Sequence, residues 1–191
     1  TSYTSIIARP KPTSRFHIYE LEKCLPRNKY TFTDSSYIAD STGLTLTWDL
    51  GNKDSSDKIS FDYTYGKADT FKIRLTSTST FGCSDTSFKD LVVFPHPEAN
   101  FIVDTPGMCL LDNQFSLNNL STITSGTINY RWKLGDIDTL TLADPTLTFN
   151  SIGRKTITLI AFSDQGCFDS LTKAVTIYPM PVAQFTTDTT R

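Results

Sequence analysis

Leu44-Thr45-Leu46-Thr47-Trp48-Asp49-Leu50-Gly51 decides the fold, because 84 residues later the chain runs Ile128-Asn129-Tyr130-Arg131-Trp132-Lys133-Leu134-Gly135. In both stretches apolar side chains alternate with polar ones, the period of a strand buried on one face. The correspondence spreads outward. Cys83 and Cys167, Pro97 and Pro181, and Phe101 and Phe185 are also 84 apart, whereas Phe16 and Phe101, and Cys24 and Cys109, are 85 apart. The change of one residue between the cysteine and tryptophan pairs marks a single deletion, with register kept on either side. A fixed period of this length predicts a tandem array of one domain.

The other apolar runs keep the same period. Phe71, Ile73 and Leu75 alternate with Lys72, Arg74 and Thr76, and Leu91 and Val93 follow; the second copy repeats this with Ile157, Leu159 and Ala161, then Val175 and Ile177. No stretch sustains a helical pattern. About seven short strands per copy, each with one apolar face, predict an all-β fold of tandem Ig-like antiparallel β-sandwiches. Prolines punctuate the copies: Pro10 and Pro12, Pro95 and Pro97, and Pro179 and Pro181 form three Pro-x-Pro junctions. Proline fixes φ and biases its predecessor toward extended backbone, so the junctions read as short, stiff linkers. The expected division is 13–97 and 98–181 as two complete repeats, with 1–12 (including Ile6 and Ile7) the last strand and linker of a preceding repeat. Residues 182–191 read as the first strand of a following one.

The 191 residues are 38% hydrophobic and 12% aromatic, an ordinary globular composition. A net charge of -2 and a pI near 5.6 leave no basic face to neutralise phosphates, which argues against nucleic acid as a partner. No apolar run reaches the roughly 20 residues of a membrane helix. The four cysteines fall as one pair per copy, Cys24 with Cys83 and Cys109 with Cys167. That arrangement predicts a disulfide within each repeat and an oxidising compartment; the alternative is four buried thiols. Closing such a loop would restrict the unfolded chain by about 4 kcal/mol.

These residues resemble a known family. Trp48-Asp49-Leu50-Gly51-Asn52 followed by Tyr65, Asp69, Phe71, Ile73 and Leu75 is similar to the PKD (polycystic kidney disease) domain, as is Trp132-Lys133-Leu134-Gly135-Asp136 with Phe149, Gly153, Ile157 and Leu159. The Phe81-Gly82-Cys83-Ser84-Asp85 and Gln165-Gly166-Cys167-Phe168-Asp169 turns, with the Pro-x-Pro junctions, look like the PKD-like arrays of secreted Bacteroidota surface proteins. The resemblance implies an extracellular, secreted or cell-surface protein, adhesin-like and exported by type IX secretion. Two departures stand out. The acidic turn of the family is degraded in both copies, which weakens any cation site built on it, and Asp69 stands where the family has glycine.

Candidate sites are few. Trp48 and Trp132 lie in phase with the apolar face and read as core, not as carbohydrate platforms. Asp49, Asp54 and Asp57 in one copy and Asp136 and Asp138 in the other are the weak calcium candidates, since closely spaced carboxylates supply oxygen ligands. They do not share a register, and no cofactor is expected. His17 and His96 are the only histidines, neither recurs, and no catalytic motif surrounds them, so no enzyme activity is expected. Ile160, Phe162 and Tyr178 occupy outward positions and form a possible interaction patch. Asn119-Leu120-Ser121 matches the N-glycosylation triplet; Asp138-Thr139-Leu140 and Asp169-Ser170-Leu171 resemble Bacteroidota O-glycosylation triplets.

The expectation is a set of structural spacer repeats forming the stalk of an adhesion-related surface protein, with neighbouring repeats of the same chain as partners. The alternative is a module binding a surface glycan or protein by avidity, or an accessory domain of a secreted hydrolase. Glycan binding predicts exposed, coplanar aromatic rings at equivalent positions in both copies.

Overall fold

The computed structural model describes residues 8–135 and 138–186. The chain separates into two compact units that divide at Pro95 and His96. The first unit contains β1 (Phe16–Ile18), β2 (Glu22–Cys24), β3 (Lys29–Asp34), β4 (Leu44–Asp49), β5 (Ser55–Ser56), β6 (Ser60–Thr64), β7 (Asp69–Ser79) and β8 (Ser84–Phe94). The second contains β9 (Phe101–Val103), β10 (Gly107–Cys109), β11 (Phe115–Asn119), β12 (Ile128–Leu134), β13 (Asp138–Leu140), β14 (Thr146–Leu147), β15 (Gly153–Ser163) and β16 (Phe168–Tyr178).

Each unit is a sandwich of a three-stranded and a five-stranded sheet, in the orders β1-β3-β6 and β2-β8-β7-β4-β5, then β9-β11-β14 and β10-β16-β15-β12-β13. The topologies match strand for strand. One feature departs from a purely antiparallel pattern: β2 pairs in parallel with β8, and β10 with β16. In both cases a short early strand adds to the edge of the long final hairpin.

Alternation places each core. In β7, Phe71, Ile73 and Leu75 are buried while Lys72 and Arg74 face water; in β15, Ile157, Leu159 and Ala161 do the same. Trp48 is fully buried in the first core, ringed edge-on by Phe16 at 5.1 Å, Phe61 at 5.5 Å and Phe32 at 5.8 Å between ring centres. Trp132 is fully buried in the second, with Phe101 edge-on at 5.0 Å. Edge-to-face pairs of this kind align the positive ring edge with the negative ring face. Both indoles also satisfy their polar atom: Trp48 Nε1 donates to the Lys58 carbonyl and Trp132 Nε1 to the Leu142 carbonyl, each at 2.9 Å.

The long hairpins turn in the same way. Gly82 (φ 83°) and Gly166 (φ 79°) take the left-handed conformation that a side chain disfavours. Ser79 accepts the Gly82 N–H at its carbonyl, and its Oγ accepts the Cys83 N–H; Ser163 treats Gly166 and Cys167 identically. Asp69 does not adopt the turn geometry its position suggested. Positive φ among the described non-glycine residues falls at Ser41, Lys53 and Asp112, and Asp69 simply opens β7 opposite Val93.

Candidate functional site

The ends of each sandwich are fixed by paired polar contacts. Where the chain enters the first unit, the Asp85 carboxylate accepts from Lys11 Nζ at 2.7 Å and from the Ser14 N–H at 2.9 Å. The Lys11 ammonium, and then the Ser14 amide, hold the Asp85 carboxyl below its usual range. Where the chain enters the second unit, the Ala99 N–H donates to Asp169 at 2.9 Å. Asp85 and Asp169 each stand two residues after the turn cysteine, so Cys83 and Cys167 mark the leading pole of their units. At the trailing pole, parallel pairing sets Cys24 beside Phe94 and Cys109 beside Tyr178, the residues just before Pro95 and Pro179.

This placement corrects the expected disulfides. Cys24 and Cys83 lie eleven residues apart along β8, about 36 Å at roughly 3.3 Å per residue. Cys109 and Cys167 are separated equally along β16. A disulfide needs Cα atoms within about 4.4–6.8 Å, so neither pair closes. Cys83 and Cys109 carry free thiols, whereas Cys24 and Cys167 are disulfide-bonded. Alternation and periodicity locate cysteines in sequence, not at opposite ends of an eleven-residue strand.

The carboxylates of the acidic turn are already engaged. Asp49 accepts from Arg74 and from the Gly51 N–H, both at 3.0 Å. Asp54 accepts from Tyr63 Oη and, at 3.1 Å, from Asn52 Nδ2. Burial, then the Asp54 hydrogen bond, raises the Tyr63 hydroxyl above the ordinary phenol value. Asp57 is exposed, Asp136 lies outside the described residues, and Asp138 is described only as part of β13. Among the described residues no group of three His, Cys, Asp or Glu side chains is placed to hold a metal.

The two histidines occupy unrelated places. His17 is exposed on β1 opposite Thr33, at the rim of an open cleft of about 290 Å³ lined by Ser14, Arg15, Phe16, Ser87, Phe88 and Lys89. That lining contains no carboxylate, and Ser14 Oγ is committed to the Leu75 carbonyl at 3.0 Å. His96 stands between Pro95 and Pro97, with its buried Nδ1 unpartnered among the described residues.

The expected patch does not assemble. Ile160 and Phe162 are half-buried on the outward face of β15, where Phe162 pairs with Phe168 and takes the Arg131 guanidinium over its ring at 5.7 Å. Tyr178 is on the same face but ten residues along β16 from Phe168, about 33 Å away. Its ring lies against Gly107, where an added Cβ would stand 2.8 Å from Tyr178 Cε2. Asn119 of the glycosylation triplet has its Nδ2 buried, while Ser170 is exposed in mid-strand of β16.

Sequence reading missed one recurring polar device. Asn28 is fully buried; its Nδ2 donates to the Tyr65 carbonyl at 2.9 Å and its Oδ1 accepts the Tyr65 N–H at 2.6 Å. Asn113 does the same for Phe149, at 2.8 Å in both directions. The side-chain amide stands in for a strand partner. The signal was the recurrence of asparagine at the same spacing as Cys24 and Cys109.

Comparison with known proteins agrees with this architecture. A family model described as PKD domain matches residues 95–178. Among solved structures, the PKD1 domain of the Vibrio cholerae metalloprotease PrtV is 26% identical, with 43% of this chain and 96% of that one covered at a TM-score of 0.38. The PKD1 domain of Vibrio anguillarum Epp is 20% identical, covering 45% of this chain and 96% of that one at a TM-score of 0.38. Sidekick-1 immunoglobulin domains 1–4 are 10% identical, covering 88% of this chain and 50% of that one at a TM-score of 0.50. No curated protein matches. No helix among the described residues is long and apolar enough to cross a membrane. The segment from residue 95 to residue 178 is thus similar to a PKD domain, and it folds as an Ig-like β-sandwich around a buried tryptophan.

Proposed function

We propose that the two units are non-catalytic spacer modules of an extracellular protein, repeats of one domain strung on Pro-x-Pro links into the stalk of an adhesion-related surface molecule. A PKD domain together with a disulfide supports the extracellular assignment. The observation that carries the spacer reading is the distribution of aromatic rings. Of the rings that recur in both units at equivalent positions, Trp48 with Trp132, Phe16 with Phe101 and Tyr30 with Phe115 are buried, whereas the last pair along the chain, Phe94 with Tyr178, is half-buried in the first unit and exposed in the second. The exposed rings of Tyr19, Tyr37, Phe81 and Phe88 correspond to Asp104, Thr122, Gln165 and Thr172, and exposed Phe168 corresponds to Ser84. Carbohydrate recognition by avidity requires the same platform in every repeat, so this pattern disfavours a glycan-binding array.

Reach then grows with unit number, since each sandwich folds on its own core. At roughly 3.3 Å per strand residue, a unit adds on the order of 35 Å. Small-angle scattering on this chain and on longer stretches of its parent reads that increment directly. A maximum dimension that fails to increase with added units sinks the proposal, as does millimolar-or-better binding of a bacterial or host polysaccharide in calorimetry.

A further inference from the structure

Each unit carries two kinds of cysteine, and each kind is bonded in one unit and free in the other. The leading-pole type sits in the hairpin turn: Cys167 is disulfide-bonded and buried, and its counterpart Cys83 is free and partly exposed. The trailing-pole type ends the short parallel edge strand: Cys24 is disulfide-bonded, and its counterpart Cys109 is free and exposed. The register of β8 and β16 forbids a bond between the two kinds inside one unit. The bonded cysteines are thus one of each kind, and the free ones are the complementary pair.

We propose that Cys83 and Cys109 are linkage sites for further units of the same kind, Cys83 taking a trailing-type cysteine and Cys109 a leading-type one. The inference rests on the spacer reading and adds a covalent joint to it. Connectivity supports the choice of partner, because a chain leaves each unit at its trailing pole and joins the next at its leading pole. Both thiols are held on rigid backbone: Cys83 by the Ser79 carbonyl, Oγ and amide contacts of its turn, and Cys109 by its pairing with Tyr178, next to the Leu110 N–H that donates to the Tyr178 carbonyl at 2.9 Å. With oxidised glutathione as the oxidant, one cysteine thiolate attacks the glutathione disulfide and releases one glutathione thiolate. The partner thiolate then displaces the second glutathione, so two protein thiols are oxidised as one glutathione disulfide becomes two thiols.

The test uses the whole chain at high concentration with oxidised glutathione, read by non-reducing electrophoresis and by mass mapping of linked peptides, with a second copy standing in for the adjoining unit. The expected result is a ladder of multimers in which Cys83–Cys109 peptides exceed Cys83–Cys83 and Cys109–Cys109 peptides at least fivefold. Cys83→Ser, Cys83→Ala and Cys109→Ser each stop the ladder at the dimer, with thermal melts unchanged. A statistical mixture of the three linkages, persistent monomers, or peptides joining Cys24 to Cys83 or Cys109 to Cys167 overturns the proposal. Scattering on the Cys83→Ser, Cys109→Ser double variant, which cannot link, keeps the two readings apart: growth in length with unit number that persists in it leaves the spacer standing, while failed linkage of the unmutated chain rejects the joint alone.

Discussion

Asn28 shows how one side chain can replace a stretch of sheet. Between β3 and the end of β6 the backbone of Tyr65 has no strand beside it, and the Asn28 amide supplies both a donor and an acceptor. Removing it leaves a buried N–H and a buried carbonyl unpaired, at about 1–3 kcal/mol for each such group. Asn28→Ala should therefore destabilise the first unit by about 2–4 kcal/mol in urea unfolding, and a loss under about 0.5 kcal/mol would refute the assignment. Tyr30 and Tyr65 make a second residue-scale prediction. Tyr30 Oη donates to the Val92 carbonyl at 2.8 Å and Tyr65 Oη to the Leu50 carbonyl at 2.9 Å. Burial pushes the Tyr30 hydroxyl up to about 12 and raises that of Tyr65 as well. An unfolded tyrosine ionises near 10, so between pH 10 and 12 the unfolded chain sheds protons that the folded unit retains. Stability is fully present below pH 10 and falls as the pH rises through that window. The counterparts in the second unit are Phe115 and Phe149, which do not titrate. Unit-resolved melts should show the first unit alone losing stability from this source, and equal losses in both would contradict it.

At the level of elements, the edge strands β2 and β10 are the feature that periodicity could not reveal. Three residues are too few to show alternation, and their parallel pairing depends on where the long hairpin ends. β10 is admitted to the sheet by Gly107, where a Cβ would meet the Thr176 carbonyl oxygen and the Tyr178 ring at 2.8 Å. Gly107→Ala should detach this strand from β16, raising amide exchange at Met108 and Leu110 while β15 and the rest of β16 stay protected. Its expected cost is about 1–3 kcal/mol, the range for an overpacked contact. Unaltered exchange at those amides would show that the edge tolerates the methyl group.

For the whole molecule, two separate cores mean two separable stabilities. One cluster gathers around Trp48 with Phe32, Leu75 and Leu91, the other around Trp132 with Phe101, Leu159 and Val175. Trp48→Ala should cost the first unit about 3–5 kcal/mol, the usual range for emptying a buried aromatic site, and leave the second unit's transition where it was. Calorimetry resolves this: a single transition that shifts as a whole would mean the cores are not independent.

Local order was decided by sequence. The alternation of Leu44 through Leu50 and of Phe71 through Leu75 fixed the strands, their inward faces and the buried tryptophans, because side-chain direction in a strand follows from position alone. The repeat spacing also anticipated the strand order that the two units share. Only the tertiary structure decided which distant residues meet. It set Cys24 and Cys83 at opposite ends of β8, parted Tyr178 from Phe162, and spent Asp49 and Asp54 on Arg74 and Tyr63. The physical reason is that an eleven-residue strand carries its two ends about 33 Å apart, a separation invisible to composition and period but final for any bond a few ångströms long.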